Sequence, residues 1–277
     1  MFGLTNDFHV AVPTAFDDNE DLNTDATLQH VMRLYGLGVK SVMICGTTGE
    51  QHSLSLTEKL QLLDSLDADS SLPDDLEILF GVASIRQKEA LQLAGKVNAS
   101  PKISGVLLGF PPYILPSQKE AKLYVEAITT VVDKPIILYN NPRRTGFNLE
   151  LDTFAELIKL PNIIGIKDAG DSARIPELIS ATDKEIYIYA GGEIDLAKKI
   201  ALGVTRLSSM AGNLYPEEIH GYFTDLLHGR ADETKKAGIE EKIRSVFAEN
   251  PIIYIKNEIT KQTQIDMGVA RSPLGNQ

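Results

Sequence analysis

Cysteine is almost missing from this chain of 277 residues: Cys45 stands alone, so no disulfide forms within it and a disulfide-stapled fold is excluded. The residue lies in the apolar segment Ser41-Val42-Met43-Ile44-Cys45, where packing accounts for it better than reactivity. Basic side chains are also scarce, 27 against 38 acidic ones, and the formal net charge of −11 makes nucleic acid and anionic membrane surfaces poor partners. The same charge repels small acids, so a site for one needs local donors or an arginine of its own. No apolar run approaches the roughly 18 residues of a membrane span, and residues 1–12 carry neither a basic start nor a long apolar stretch. A cytoplasmic protein without a membrane partner is therefore expected. Absent too are a low-complexity tract, a polybasic block, a GxGxxG and a P-loop. The five histidines (His9, His30, His52, His220, His228) show no short metal-ligand spacing and no HExxH. No metal and no cofactor is expected, and the histidines default to structural or surface roles.

What the chain has in quantity is core-forming material, 43% hydrophobic residues. Short β-rich runs recur about every thirty residues, each followed by an amphipathic stretch of helix length, the cadence of repeated βα units. Eight runs are recognisable, near 8–12, 41–45, 77–82, 105–109, 135–140, 163–167, 185–190 and 206–210. Between them, segments such as 56–66, 87–97, 119–132, 151–160 and 194–202 place apolar residues at helical spacing. Start signals are read at Thr57 before Glu58, at Ser117 before Glu120, and at Asp171 or Ser172. Eight alternations favour a closed (β/α)8 barrel, with a doubly wound open sheet as the competing topology. After the eighth unit, residues 215–229, 232–249 and 251–267 are helical in pattern. The expected division is a barrel over residues 1–228 and a C-terminal helical region over 229–277 packed on it.

In a parallel barrel the functional face is the carboxyl end of the strands, and the residues there are not ordinary loop residues. Run two ends in Gly46-Thr47-Thr48-Gly49-Glu50, run four leads to Phe110-Pro111-Pro112-Tyr113, and run five ends in Tyr139-Asn140-Asn141-Pro142-Arg143-Arg144-Thr145-Gly146. Run six, Ile163-Ile164-Gly165-Ile166, ends in Lys167, and run eight continues into Ser208-Ser209-Met210-Ala211-Gly212-Asn213. A lysine held by apolar neighbours loses part of its charge because burial disfavours the ammonium, and a neutral amine attacks carbonyls. Strand-end lysines more often reach into solvent, and a threonine pair, a tyrosine or two arginines taken singly have equally plain structural explanations. Their coincidence is what matters. On a barrel, Thr47, Tyr113, Tyr139, Arg144 and Lys167 would face one mouth: an amine nucleophile, phenolic acid/bases and an anion clamp, the equipment of an enzyme that works on carbonyls.

Gly46 to Glu50, Tyr139 to Gly146 with its second arginine, and Gly165-Ile166-Lys167-Asp168 resemble the dihydrodipicolinate synthase and N-acetylneuraminate lyase family of class I, pyruvate-handling aldolases. The resemblance extends over nearly the whole chain. It implies that Lys167 forms an imine with pyruvate, that Tyr139 shuttles protons at the reacting carbon, and that Thr48 binds the pyruvate carboxylate. In the synthase branch it further implies that Thr47 passes protons from Tyr139 toward Tyr113 supplied by a neighbouring subunit, hence a homotetramer or homodimer. Arg144 falls where that branch orients Tyr113 and receives the carboxylate of the aldehyde. Gly192 and the Ser208–Ser209 backbone would face the keto acid.

Two departures bear on substrate and regulation. The chain has Pro112 before Tyr113, and Ile85 in the loop after run three, where lysine-regulated synthases of the resembled family use a tyrosine and an asparagine; inhibition by lysine in the familiar way is not expected. Gln51 stands where serine is commoner. Arg144 favours condensation of pyruvate with aspartate semialdehyde. The alternatives are a retro-aldol lyase of a sugar-derived 2-keto acid, such as a 2-keto-3-deoxy acid or N-acetylneuraminate, and a catalytically silent barrel with a binding role.

Overall fold

The computed structural model describes residues 3–230 and 232–275; Met1 and Phe2 of the expected barrel region and Ala231, Asn276 and Gln277 of the expected C-terminal region lie outside the described residues. Eight parallel strands follow in chain order: β1 Phe8–Ala11, β2 Ser41–Ile44, β3 Glu77–Val82, β4 Gly105–Gly109, β5 Ile136–Asn140, β6 Ile163–Asp168, β7 Tyr187–Gly191 and β8 Arg206–Ser209. Each pairs with the next, and β8 returns to β1 through Phe8↔Leu207, His9↔Ser208 and Val10↔Ser209. That last pairing decides between the two topologies: the sheet is a closed (β/α)8 barrel.

The strands read as continuous apolar runs because both faces are covered. Outward residues such as Val10, Val42, Phe80 and Val106 pack on the helices in one large core, whereas Ala11, Met43, Leu79, Leu107, Ile137 and Tyr189 fill the barrel interior. The first helices are α1 Thr24–Gly36, α2 Leu56–Ala68, α3 Gln87–Ala99 and α4 Gln118–Thr129; then come α5 Pro142–Thr145, α6 Leu151–Leu157, α7 Ile175–Ser180, α8 Leu196–Ala201 and α9 Pro216–Leu227. The start of α2 is Ser55 and not Thr57. Ser55 accepts the Glu58 N–H while Glu58 reaches back to the Ser55 N–H, a reciprocal pair that leaves Thr57 inside the first turn. Ser117 and Glu120 cap α4 in the same way, and Asp171 caps a short 3-10 turn at Ser172–Arg174.

Beyond the barrel lie α10 Glu233–Phe247 and α11 Pro251–Gln262. The last helix stops five residues short of the expected 267 because threonines divert its end: Thr263 Oγ1 takes the Ile265 N–H at 3.0 Å, and Thr260 Oγ1 takes the Met267 N–H at 3.0 Å. No helix among the described residues is long and apolar enough to cross a membrane.

Candidate active site

Register assembles the centre of the site. Between β5 and β6 the pairing shifts at Ile136/Ile137, skipping Ile164, and then runs Ile137↔Gly165, Leu138↔Ile166 and Tyr139↔Lys167. The skipped residue matters, since a one-residue slip turns a side chain to the opposite face. Gly165 permits the close approach: a Cβ there would lie 2.1 Å from the Tyr187 carbonyl oxygen of β7. Lys167 and Tyr139 thus emerge side by side at the carboxyl end of the barrel, with the Lys167 Nζ 4.8 Å from the centre of the Tyr139 ring.

Lys167 is buried, 7% exposed, and its Nζ donates to Ser208 Oγ at 2.8 Å. Burial pulls the amine below the ordinary lysine range, a shift only partly opposed by the negative character of Tyr139 and Glu193. The Tyr139 hydroxyl accepts a hydrogen bond from Asn141 Nδ2 at 2.6 Å and lies 3.3 Å from Thr47 Oγ1. Thr48, next along the chain, is buried. Ser209 is buried as well and bonds the Glu193 carboxylate, while accepting the Gly212 N–H at 2.8 Å. Gly192 has a positive φ of 99°, and its carbonyl accepts from Lys199 Nζ at 3.4 Å.

A cavity of about 300 Å³ opens above this centre, lined by Thr47, Tyr139, Asn141 and Arg144. Arg144 sits at its exposed side on α5, with no ion-pair partner among the described residues. Its free guanidinium meets the requirement for a local cation in a chain of net negative charge. Lys167 does not itself line the cavity and joins it through Tyr139, whose ring centre is 4.8 Å from its Nζ. Tyr113 is the exception: it is 87% exposed at φ 72° and neither lines the cavity nor hydrogen-bonds any of these residues, so a single chain brings together Thr47, Tyr139, Arg144 and Lys167 but not Tyr113.

Several neighbours of the site carry no motif of their own. Asn141 lies in the Tyr139-to-Gly146 segment, yet its donation to the Tyr139 phenol has no signature in sequence. Glu193, directly after Gly191-Gly192, is buried and accepts Met210 N–H at 3.0 Å and Ala211 N–H at 3.1 Å in addition to the Ser209 hydroxyl; burial pushes its carboxyl up. His52 lines the cavity. His9 is buried within the barrel, its ring 5.2 Å from that of Tyr189, and burial followed by the charges of Lys167 and Arg206 keeps it neutral. Among the described residues no cluster of histidine, cysteine and carboxylate side chains has the arrangement of a metal site.

The chain matches the family model described as the dihydrodipicolinate synthetase family over residues 5–277. It is similar to the 4-hydroxy-tetrahydrodipicolinate synthase of Methanosarcina mazei, 32% identical over 247 residues that cover 87% of this chain and 83% of the relative. The corresponding synthase of Natronomonas pharaonis is 32% identical over 269 residues, 95% of this chain and 90% of the relative. Among solved structures, the dihydrodipicolinate synthase of Acinetobacter baumannii complexed with pyruvate superposes with a TM-score of 0.83 at 27% identity, over 97% of this chain and 93% of the other.

Proposed function

Because this chain belongs to the dihydrodipicolinate synthetase family and is a lyase of the class I aldolase type, we propose that Lys167 captures pyruvate as an imine whose enamine then condenses with aspartate semialdehyde. The observation that carries the reading is the buried Lys167 amine paired in register with Tyr139. A neutral amine adds to C2 of pyruvate; the carbinolamine hydroxyl takes a proton and leaves as water. The resulting iminium draws electrons from the methyl group, which gives up a proton to become the nucleophilic enamine carbon. After that carbon bonds to the aldehyde, whose oxygen takes up a proton, water adds to the imine carbon and the Lys167 amine leaves, freeing a keto acid whose own amino group can close on the ketone with loss of water.

Each proton needs a carrier within reach. Tyr139 is suited to this, its oxygen accepting from Asn141 at 2.6 Å and neighboured by Thr47 at 3.3 Å. Thr48 binds the pyruvate carboxylate, and the backbone around Gly192 and Ser208–Ser209 faces the keto acid. Thr47 relays protons toward Tyr113 of a neighbouring subunit, which makes the working enzyme a homodimer or homotetramer of the cytoplasm. Arg144, unpaired beside the cavity, receives the carboxylate of the second reactant bidentately. That carboxylate favours a semialdehyde of an acidic amino acid over a polyol.

The test is reductive trapping followed by product analysis. Pyruvate with borohydride should leave one pyruvate-derived mass on the peptide containing Lys167, and the trapped enzyme should be inactive. An unmodified Lys167 would refute imine chemistry and leave a silent binding barrel. Trapping without turnover of aspartate semialdehyde, but with pyruvate released from a sugar-derived 2-keto acid, would move the assignment to the lyase branch.

A further inference from the structure

Glu50 ends the Gly46-Thr47-Thr48-Gly49-Glu50 turn and is fully buried. Its backbone has φ 52°, and Cys45 at the start of the turn has φ 59°, a region in which a residue with a side chain is strained. Strain at both ends persists only where the surroundings over-determine the conformation. The turn supplies part of that restraint itself: Glu50 N–H bonds Thr47 O at 3.1 Å, Gln51 N–H bonds Gly46 O at 3.1 Å, and the Thr14 hydroxyl bonds Gly49 O at 2.7 Å.

The rest comes from the far end of the chain. Lys256 on α11 is 1% exposed, and its Nζ lies 3.3 Å from Glu50 Oε1 and 4.5 Å from the centre of the Phe16 ring, while also donating to the Val269 carbonyl. The other carboxylate oxygen, Oε2, accepts the Arg271 backbone N–H at 2.9 Å. Arg271 in turn donates to Glu20 O at 2.8 Å and Ser53 O at 3.0 Å, and bonds the Glu58 carboxylate. The segment lies flat against the chain beyond β1: Phe16 N–H bonds Met267 O at 3.2 Å, and a Cβ on Gly268 would fall 1.7 Å from the Phe16 carbonyl oxygen. Both Glu50 oxygens are therefore engaged from the C-terminal segment, and few orientations of the carboxylate satisfy both.

A buried ion pair is weak ground for stability, because well-packed apolar residues often do as well. What the contacts show is that this one restricts the orientations open to Glu50. We propose that Lys256 and Arg271 are positioning residues for pyruvate: by holding Glu50 they fix the Thr47–Thr48 turn in the geometry that receives the keto acid. The inference rests on the assignment of Thr47 and Thr48 to the pyruvate site made above. It also has a pH signature. Burial lowers Lys256 to about 8 although Glu50 holds it up; of the C-terminal charges that also face it, Arg271 lowers it and Asp266 raises it. Above that pH the ammonium is lost and the hold on Glu50 weakens.

Steady-state kinetics and borohydride trapping on the full-length protein test this. Lys256→Met should raise the pyruvate KM by roughly tenfold or more, the scale expected when a binding group is misplaced by a fraction of an ångström, with a smaller change in kcat. The wild-type pyruvate KM should climb above pH 8, and Lys256→Arg, whose charge persists, should remove the climb. Where Lys256→Met does not fold, Glu50→Gln keeps the shape but removes the charge and turns one of the two acceptor atoms into a donor facing Lys256 or the Arg271 N–H, and should raise the pyruvate KM in the same direction. A folded Lys256→Met or Glu50→Gln with the wild-type pyruvate KM, or a climb unchanged in Lys256→Arg, would overturn the proposal. Wild-type enzyme that traps no pyruvate would overturn the functional reading itself, a different failure.

Discussion

Tyr139 and Lys167 stand in register on neighbouring strands, held by Asn141 and Ser208, whereas Tyr113, on the loop after β4, is 87% exposed at a positive φ. Its neighbours Ile114 and Leu115 are 50% and 62% exposed. A strand-borne group is fixed by the ladder and by the packing on both sides of it. A loop-borne group with an apolar, uncovered surround gains its position only when something covers it. One part of the proposed machinery is thus held within a single chain, and the other stands on an exposed loop.

The largest effect should come from the strand-borne part. Lys167→Met removes the proposed nucleophile and should lower turnover on the order of 10³-fold or more, with loss of borohydride trapping. Stability should move the other way. Because burial lowers the folded-state pKa of Lys167, the unfolded chain binds its proton more readily, so the buried amine is a stability penalty at low pH. That penalty is complete below the folded pKa and fades as pH rises toward the ordinary lysine value. Denaturant unfolding across the alkaline range should show wild-type stability gaining on Lys167→Met with rising pH. A constant difference between the two proteins would mean that the amine is not desolvated.

A smaller effect should come from the loop. Tyr113→Phe should slow turnover by roughly a hundredfold, the lower end of what one proton-transfer group contributes, while pyruvate trapping at Lys167 persists. The comparison sharpens when the two variants are mixed under conditions that exchange subunits. A hybrid holds one chain with Lys167 and one with Tyr113, so activity should recover toward roughly a quarter of wild type if each site borrows from one neighbour and subunits redistribute at random. No recovery in a mixture that size-exclusion and native mass analysis show to be hybrid would place Tyr113 at its own chain's site or remove it from the reaction.

Legibility in the sequence follows the same divide. The eight strands were readable because each is buried on both faces, which leaves an uninterrupted apolar run, and the strand-end residues followed from that alone. What escaped were pairings at long range or through the backbone. Nothing near Glu50 in sequence announces Lys256, 206 positions away, and the capping box at Ser55 was displaced to Thr57 because both residues precede Glu58 within a turn. Glu193 has no such signature, since a lone carboxylate after two glycines has the look of a surface turn. Only the closed barrel turns it inward, where burial pushes its carboxyl up. Tyr113 is expected at the common mouth and, through the family resemblance, at a neighbouring subunit's site; strand order does not fix a loop side chain, and here Pro112 of the same loop lines the cavity while Tyr113 itself is exposed.

The smallest effect expected is none. Free lysine carries a carboxylate and two ammonium groups, and a site that holds it must pair or hydrogen-bond each of them once water is displaced. The surface between the loops after β3 and β4 offers little for this: Ile85 is 52% exposed, the Glu89 carboxylate bonded to its loop is already engaged by Ser84 at 2.9 Å and Arg86 at 3.0 Å, and Pro112, which lines the cavity, has neither a hydroxyl nor an N–H to donate. Turnover should therefore be unchanged at millimolar lysine, and strong inhibition would sink the argument. The informative counterpart is the double variant Ile85→Asn with Pro112→Tyr, which restores an amide and a phenol to those two positions. Appearance of inhibition there, with the parent indifferent, would locate regulation in the uncovered loop surface, while inhibition in neither would show that two polar groups are not enough to hold the ligand.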